Sequence, residues 1–365
     1  GRLNTWTPPA VRKPSEKEAA GAGIPMSVAH AAVRDGTLFY VDRKDGAKTE
    51  ISGVNISVKE ISLPVGSGEP LAKGIRFSGT LAVKKISGAS LAISDVDAKV
   101  TAANGVFDVR PFTMTLFGGK GEGQFRADLS KGEPVLSVKY TLSNFRAEES
   151  LAAVTGKKYL RGPLTLSEDL FFRGDDAREM KRTASGQVSL KGEDLTVQGT
   201  DIDGVLSSAE MATQLNLVDL GTFVLAGPLG PAATKGYGFL GIERSAERGG
   251  ETAVTKLLSD WTVRDGIAEA KDVAFATRKN RIALKGKLDI VNERFLDVTV
   301  AVLDAKGCAK LRQRITGPFR NPQVDKVSAL ETVVTPILRL FAQTRVLVDR
   351  SRCTPFYTGA VPQPK

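Results

Sequence analysis

Apolar and polar residues alternate along much of this chain with a period of two. Leu136, Val138, Tyr140 and Leu142 interleave with Ser137, Lys139, Thr141 and Ser143, and the same beat recurs at residues 75–83, 123–129 and 282–290. Successive side chains on a strand point to opposite faces, so each segment predicts a strand with one oily and one wet side. Alternation, as opposed to continuous apolar runs, favours antiparallel sheet. Strands are predicted at 27–34, 36–42, 51–60, 74–84, 89–102, 105–112, 113–118, 121–129 and 135–142. Further strands are predicted at 165–174, 183–190, 262–270, 271–277, 280–290, 294–304 and 309–317. Asp35-Gly36, Asp45-Gly46, Asn104-Gly105, Gly118-Gly119 and Lys131-Gly132 read as the turns between neighbours, because such pairs accept positive φ.

Three segments carry helical spacing instead. Residues 147–155 open with acidic residues, which suit a helix N-terminus, and 207–217 open with small polar ones. In 251–261, Val254, Leu257, Leu258 and Trp261 fall on one helical face. Near the C-terminus, Val327, Leu330, Val334, Ile337, Leu338 and Phe341 form an amphipathic helix that Pro336 kinks or breaks. Its expected role is to cover apolar sheet, with membrane-surface binding the alternative. Val33-Arg34-Asp35-Gly36 and Val263-Arg264-Asp265-Gly266 share four residues and suggest a repeated β unit.

The expected organisation is a flexible proline-bearing tether at 1–25, a β-sheet region at 26–145 and a mixed β/helical region at 146–260. A second β-sheet region at 261–320 and an amphipathic helix and tail at 321–365 follow. The fold class is mostly β: a long antiparallel amphipathic sheet with a few short helices.

Composition narrows the chemistry. Lysine and arginine outnumber aspartate and glutamate by 51 to 41, a net charge of +10. The excess reads as a solvated basic surface or as attraction to anionic lipid headgroups. Without zinc-finger spacing, an RNP-like aromatic pattern or a dense basic run, no nucleic-acid partner is expected. His30 is the single histidine, so a Ser-His-Asp or Cys-His arrangement would have to use it, and no G-x-S-x-G or H-E-x-x-H motif occurs. Residues 118–123 are glycine-dense but lead into a strand, which predicts a hairpin and not a phosphate loop. The carboxylate pairs Glu148-Glu149 and Asp175-Asp176 read as solvated charge. No enzyme activity, metal or cofactor is expected. Cys308 and Cys353 are either a disulfide, which implies an oxidising compartment, or two buried thiols. No run of about 18 uncharged apolar residues is present. A chain that begins without methionine is expected to have lost an export signal or anchor.

Several phrases in order resemble the AsmA-like proteins of Gram-negative envelopes. They are residues 115–119 followed by 121–129, Leu160-Arg161-Gly162-Pro163-Leu164 with Leu170 and Gly174, and residues 185–190. Asp265-Gly266-Ile267-Ala268 and the stretch 281–296 with Gly286, Leu288, Asp289, Asn292, Arg294 and Phe295 complete the set. The resemblance covers about residues 30–320. It implies a periplasmic protein held at the inner membrane by an N-terminal anchor. It also implies a curled sheet, open as a groove, that is associated with phospholipid movement between membranes and with outer-membrane biogenesis.

On that reading, phospholipid acyl chains are the partner, and Phe77, Leu81, Phe125, Leu136, Val138, Tyr140, Leu142, Leu284, Leu288, Val298 and Val300 are the groove candidates. The same residues could instead pack sheet on sheet. The alternative function is a non-enzymatic scaffold or assembly factor for outer-membrane proteins, with envelope proteins as partners. A hydrolase of envelope polymers ranks third.

Overall fold

The computed structural model describes residues 27–42, 46–63, 70–88, 92–156, 158–207, 249–329 and 353–364. The strands are β1 (Ser27–Val41), β2 (Lys48–Ser62), β3 (Arg76–Ser87), β4 (Ala92–Ala103), β5 (Val106–Leu116), β6 (Gly119–Asp128) and β7 (Val135–Arg146). They continue as β8 (Leu160–Arg161), β9 (Pro163–Arg173), β10 (Ser185–Gln198), β11 (Glu251–Arg264), β12 (Ile267–Thr277), β13 (Arg281–Asp289), β14 (Arg294–Leu303) and β15 (Ala309–Pro318). The last two, β16 (Gln323–Val324) and β17 (Ser328–Ala329), are short. Four short helices accompany them: α1 (Leu71–Gly74), α2 (Ala147–Thr155), α3 (Ala177–Thr183) and α4 (Ile202–Ser207).

Every long strand pairs antiparallel with its predecessor, β9 taking its place against β7 and β10, so the chain builds one sheet by continuous meander. The sheet is not closed into a barrel. This is the mostly β, long antiparallel sheet that the alternation predicts.

Tight turns set the meander. Asn104-Gly105, Phe117-Gly118 and Asp265-Gly266 all have positive φ at both residues, the backbone that matches the twist of two-residue hairpins. Asp35-Gly36 does not act this way. It lies inside β1, where the register shifts on either side of Gly36, so the two strands expected at 27–42 are one strand carrying a bulge. The strands expected at 105–112 and 113–118 likewise fuse into β5. Pro111, which has no N–H for the ladder, falls in a register shift between Val109 and Phe112. The four residues shared by 33–36 and 263–266 are therefore a bulge in one place and a hairpin in the other, not a repeated unit. Likewise the strands expected at 262–270 and 271–277 divide at Asp265-Gly266, the first half completing β11.

The expected helix at 251–261 is also overturned: those residues form β11. Leu257 and Trp261 face one side and Leu258 the other, and all three are buried. A strand buried on both faces has no polar beat, so its spacing mimics a helix. The expectation at 147–155 matches α2. Helix α3 was not expected; Asp176 caps it, accepting from the backbone N–H of Arg178 and Glu179 at 2.8 Å each. The segment 207–217 lies, beyond Ser207, outside the described residues, as do residues 330–341 of the expected C-terminal helix; Val327 falls just before β17.

Candidate lipid-binding face

The register brings all eleven groove candidates to one face of the sheet. One row across the strands runs Phe77–Ala102–Phe107–Ala127–Leu136–Phe172. A second runs Val109–Phe125–Val138–Leu170–Gly186–Val263–Ala268–Leu288. A third runs Gly121–Leu142–Leu166–Leu190–Ser259–Val273–Leu284–Val300. Leu81 and Tyr140 share a fourth row, Leu81–Ala98–Phe112–Gly123–Tyr140–Glu168–Val188–Trp261. Val298, two residues before Val300, faces Ile315. Sequence reasoning missed Phe107, Phe112, Leu170 and Phe172, which extend the same face; Phe107 and Val109 alternate visibly, while the β5 bulge hides Phe112.

The face changes character along the sheet. Leu284, Leu288, Val298 and Val300 are at most 3 % exposed, as is Trp261, and together they form a packed core with Phe275 and Phe295. At these four positions the side chains fill a core and line no open space. Leu142 is buried with them. Phe77, Leu81, Phe125, Leu136, Val138 and Tyr140 are only half-buried. Here the aromatic rings pave the surface: Phe112 meets Phe125 edge-on at 5.0 Å between centroids, and Phe125 stacks on Tyr140 at 6.3 Å. Gly121 and Gly123 make room for Tyr140. A Cβ at Gly121 would collide with Tyr140 Oη, and one at Gly123 with the Lys139 carbonyl. Burial leaves Tyr140 Oη without a hydrogen-bond partner among the described residues and pushes its pKa up to about 12, with Glu168 adding to the shift.

The opposite face is polar over the same strands. Its central row runs Ala32–Ser57–Thr80–Lys99 and resumes as Gln124–Lys139–Asp169–Gln187. Two hollows of about 710 and 920 Å³ are lined mainly from this side. They share Lys99 and Pro111, and they gather His30 and Lys59 in one, Arg110 and Lys139 in the other. Basic side chains thus line hollows across the sheet from the oily face. His30 is exposed and its Nε2 hydrogen-bonds Ser57 Oγ at 3.0 Å. The carboxylate pairs do structural work: Glu149 pairs with Arg146, Glu148 accepts from the Gly162 N–H, and Asp176 is the α3 cap. No cluster of metal-ligating side chains occurs among the described residues.

Over β11–β14 the outer face is not wet. The segment 353–364 lies on it, with Tyr357 and Val361 packed against Leu258, Ala274, Ala276, Ala283, Ala301 and Leu303. A disulfide joins Cys308 to Cys353, Cα atoms 6.3 Å apart. Tyr357 donates its hydroxyl hydrogen to Asp272 at 2.5 Å and accepts from the Val361 N–H at 3.0 Å.

The AsmA family model matches residues 76–273, more than half of the chain. The chain belongs to the AsmA family. The match spans β3 to β12 and so takes in both the half-buried aromatic face and the start of the packed core. The family is envelope-associated. No match was found among curated proteins or among solved structures. No helix among the described residues is long and apolar enough to cross a membrane.

Proposed function

We propose that this AsmA-family chain is a non-enzymatic, periplasmic lipid-handling protein, anchored at the inner membrane in the full-length protein, whose half-buried apolar face shields phospholipid acyl chains in transit between membranes. The observation that supports this reading is the apolar floor over β3–β9, which carries one carboxylate, Glu168, and is backed among the described residues by a polar face and not by a second packed layer of the kind seen over β11–β14. Contiguous exposed apolar surface on a folded protein marks something that covers it. An acyl chain is a fitting cover: it needs no hydrogen bonds, and each CH₂ removed from water contributes roughly 0.8 kcal/mol. A chain laid along one row crosses several strands at about 4.8 Å each, so the six paired strands of the floor, β3–β7 and β9, hold an acyl chain of ordinary length.

The test is solvent extraction and mass spectrometry of lipid from the purified, detergent-free protein. Wild type is expected to carry phospholipid, and Val138→Asp to lose most of it while keeping its β-sheet circular dichroism. Val138 is chosen over a core position such as Leu284, where a buried charge would unfold the sheet. Lipid-free, well-folded wild type overturns the proposal. It would favour the scaffold reading, in which the open edge of β1 takes a client strand by β-augmentation.

A further inference from the structure

Glu168 is the exception on the apolar floor. It sits at the centre of β9, between Leu166 and Leu170, facing the same side as both. Across the ladder its neighbours on that side are Tyr140 of β7 and Val188 of β10, and Trp261 of β11 lies one strand further. Tyr140 is the one titratable group that faces it from these strands. Lys139 of β7 and Asp169 of β9 pair with each other on the opposite side, at 3.5 Å. Lys191 and Glu193 of β10 alternate to that side as well, and Asp260 of β11 is there, accepting from Ser189. Glu149 of α2 is taken by Arg146, and Glu148 by the Gly162 N–H. Among the described residues Glu168 has neither a hydrogen-bond donor nor a cation.

Its position along the sheet matters as much as its isolation. On the β7 side the floor is half-buried; on the β10 side Val188 and Leu190 are already in the core. Glu168 marks the boundary where open face passes into packed interior. Water reaching the open side is the only solvation this carboxyl has, and hydrocarbon laid over the floor would remove it.

We propose that Glu168 is a proton-binding site in the lipid path: an acyl chain that covers it is loaded together with one proton, so loading is favoured by acid. The proposal rests on the groove reading. An ionised carboxylate under hydrocarbon is costly enough that the group takes up a proton instead. Burial in the empty protein already holds the carboxyl above its usual range, and lipid deepens the same effect. When the neutral form alone accepts lipid cover, linkage makes affinity fall by about tenfold for each pH unit above the pKa of the empty site.

The experiment is titration of delipidated protein with a nitroxide-labelled phosphatidylcholine between pH 5 and pH 8.5, a range in which that headgroup does not titrate. Wild type, Glu168→Gln and Glu168→Leu are compared, each checked for native circular dichroism. The expected result is a dissociation constant that rises at least tenfold with pH in wild type and stays flat in both variants. The Glu168 carboxyl ¹³C resonance, assigned by its loss in Glu168→Gln, is expected to titrate at higher pH with lipid bound. Binding that is flat in wild type, or equally pH-dependent in the variants, overturns the coupling and leaves the groove reading standing. Tighter binding at alkaline pH also overturns it, and would mean that the carboxylate holds the choline cation. Absence of binding at every pH overturns the groove reading, and the coupling falls with it.

Discussion

Glu168 occupies a slot that the alternation Leu164, Leu166, Leu170, Phe172 reserves for a hydrophobe. Burial raises its folded-state pKa above the value near 4.3 expected of an unfolded chain. Below that unfolded value both states are protonated and the ionisation of the residue has no effect on stability. As pH rises through it, the unfolded state ionises first, so the wild type loses stability relative to a variant without the carboxyl. The melting temperature of Glu168→Leu relative to wild type is therefore expected to be a few degrees higher at pH 7 than near pH 3.5, as read by scanning calorimetry. The interruption was visible in the sequence as one carboxylate out of step, although nothing local marked it as more than a surface charge. The same limit applies to the groove candidates. Val138 and Leu284 sit in indistinguishable alternating patterns, yet one is half-buried and the other is in the core. Period two fixes the face a side chain takes; what lies across from that face depends on distant parts of the chain.

Among the elements, hairpins were legible where both turn residues needed positive φ, as at Asn104-Gly105. Asp35-Gly36 shows why the signal is incomplete: there Asp35 alone has positive φ, and the pair sits in a bulge without reversing the chain. The misreading of β11 has a related cause. Its Leu258 is apolar because the 353–364 segment, nearly a hundred residues away, covers that side. This cover is tied down by the disulfide and by hydrogen bonds to Asp272, Arg281 and Gly307. Tyr357→Phe removes the hydroxyl that donates to Asp272 and receives the Val361 N–H. Breaking that pair is expected to cost about 1–3 kcal/mol, measured by urea denaturation, while lipid carried on the distant β3–β9 floor stays unchanged.

For the whole molecule, family membership and the long open sheet follow the sequence closely, and the scale of the sheet is set by the count of strands. Fourteen strand positions, β1–β7 and β9–β15, give thirteen steps of about 4.8 Å, or roughly 60 Å along the ladder before curl. Each strand touches essentially its two neighbours in that series. Among the described residues β1 pairs with β2 alone, and its Leu38, Phe39 and Tyr40 are each more than half exposed. A structure coupled only to nearest neighbours behaves as a one-dimensional stack, in which ends open before the middle. Amide hydrogen exchange is expected to show protection climbing from β1 toward β11–β14, and uniform protection would show that the sheet opens as one unit. The meander is then a zipper with its slider at β1. The strands of the half-buried floor can loosen and close from that end while the disulfide-tied far end stays shut.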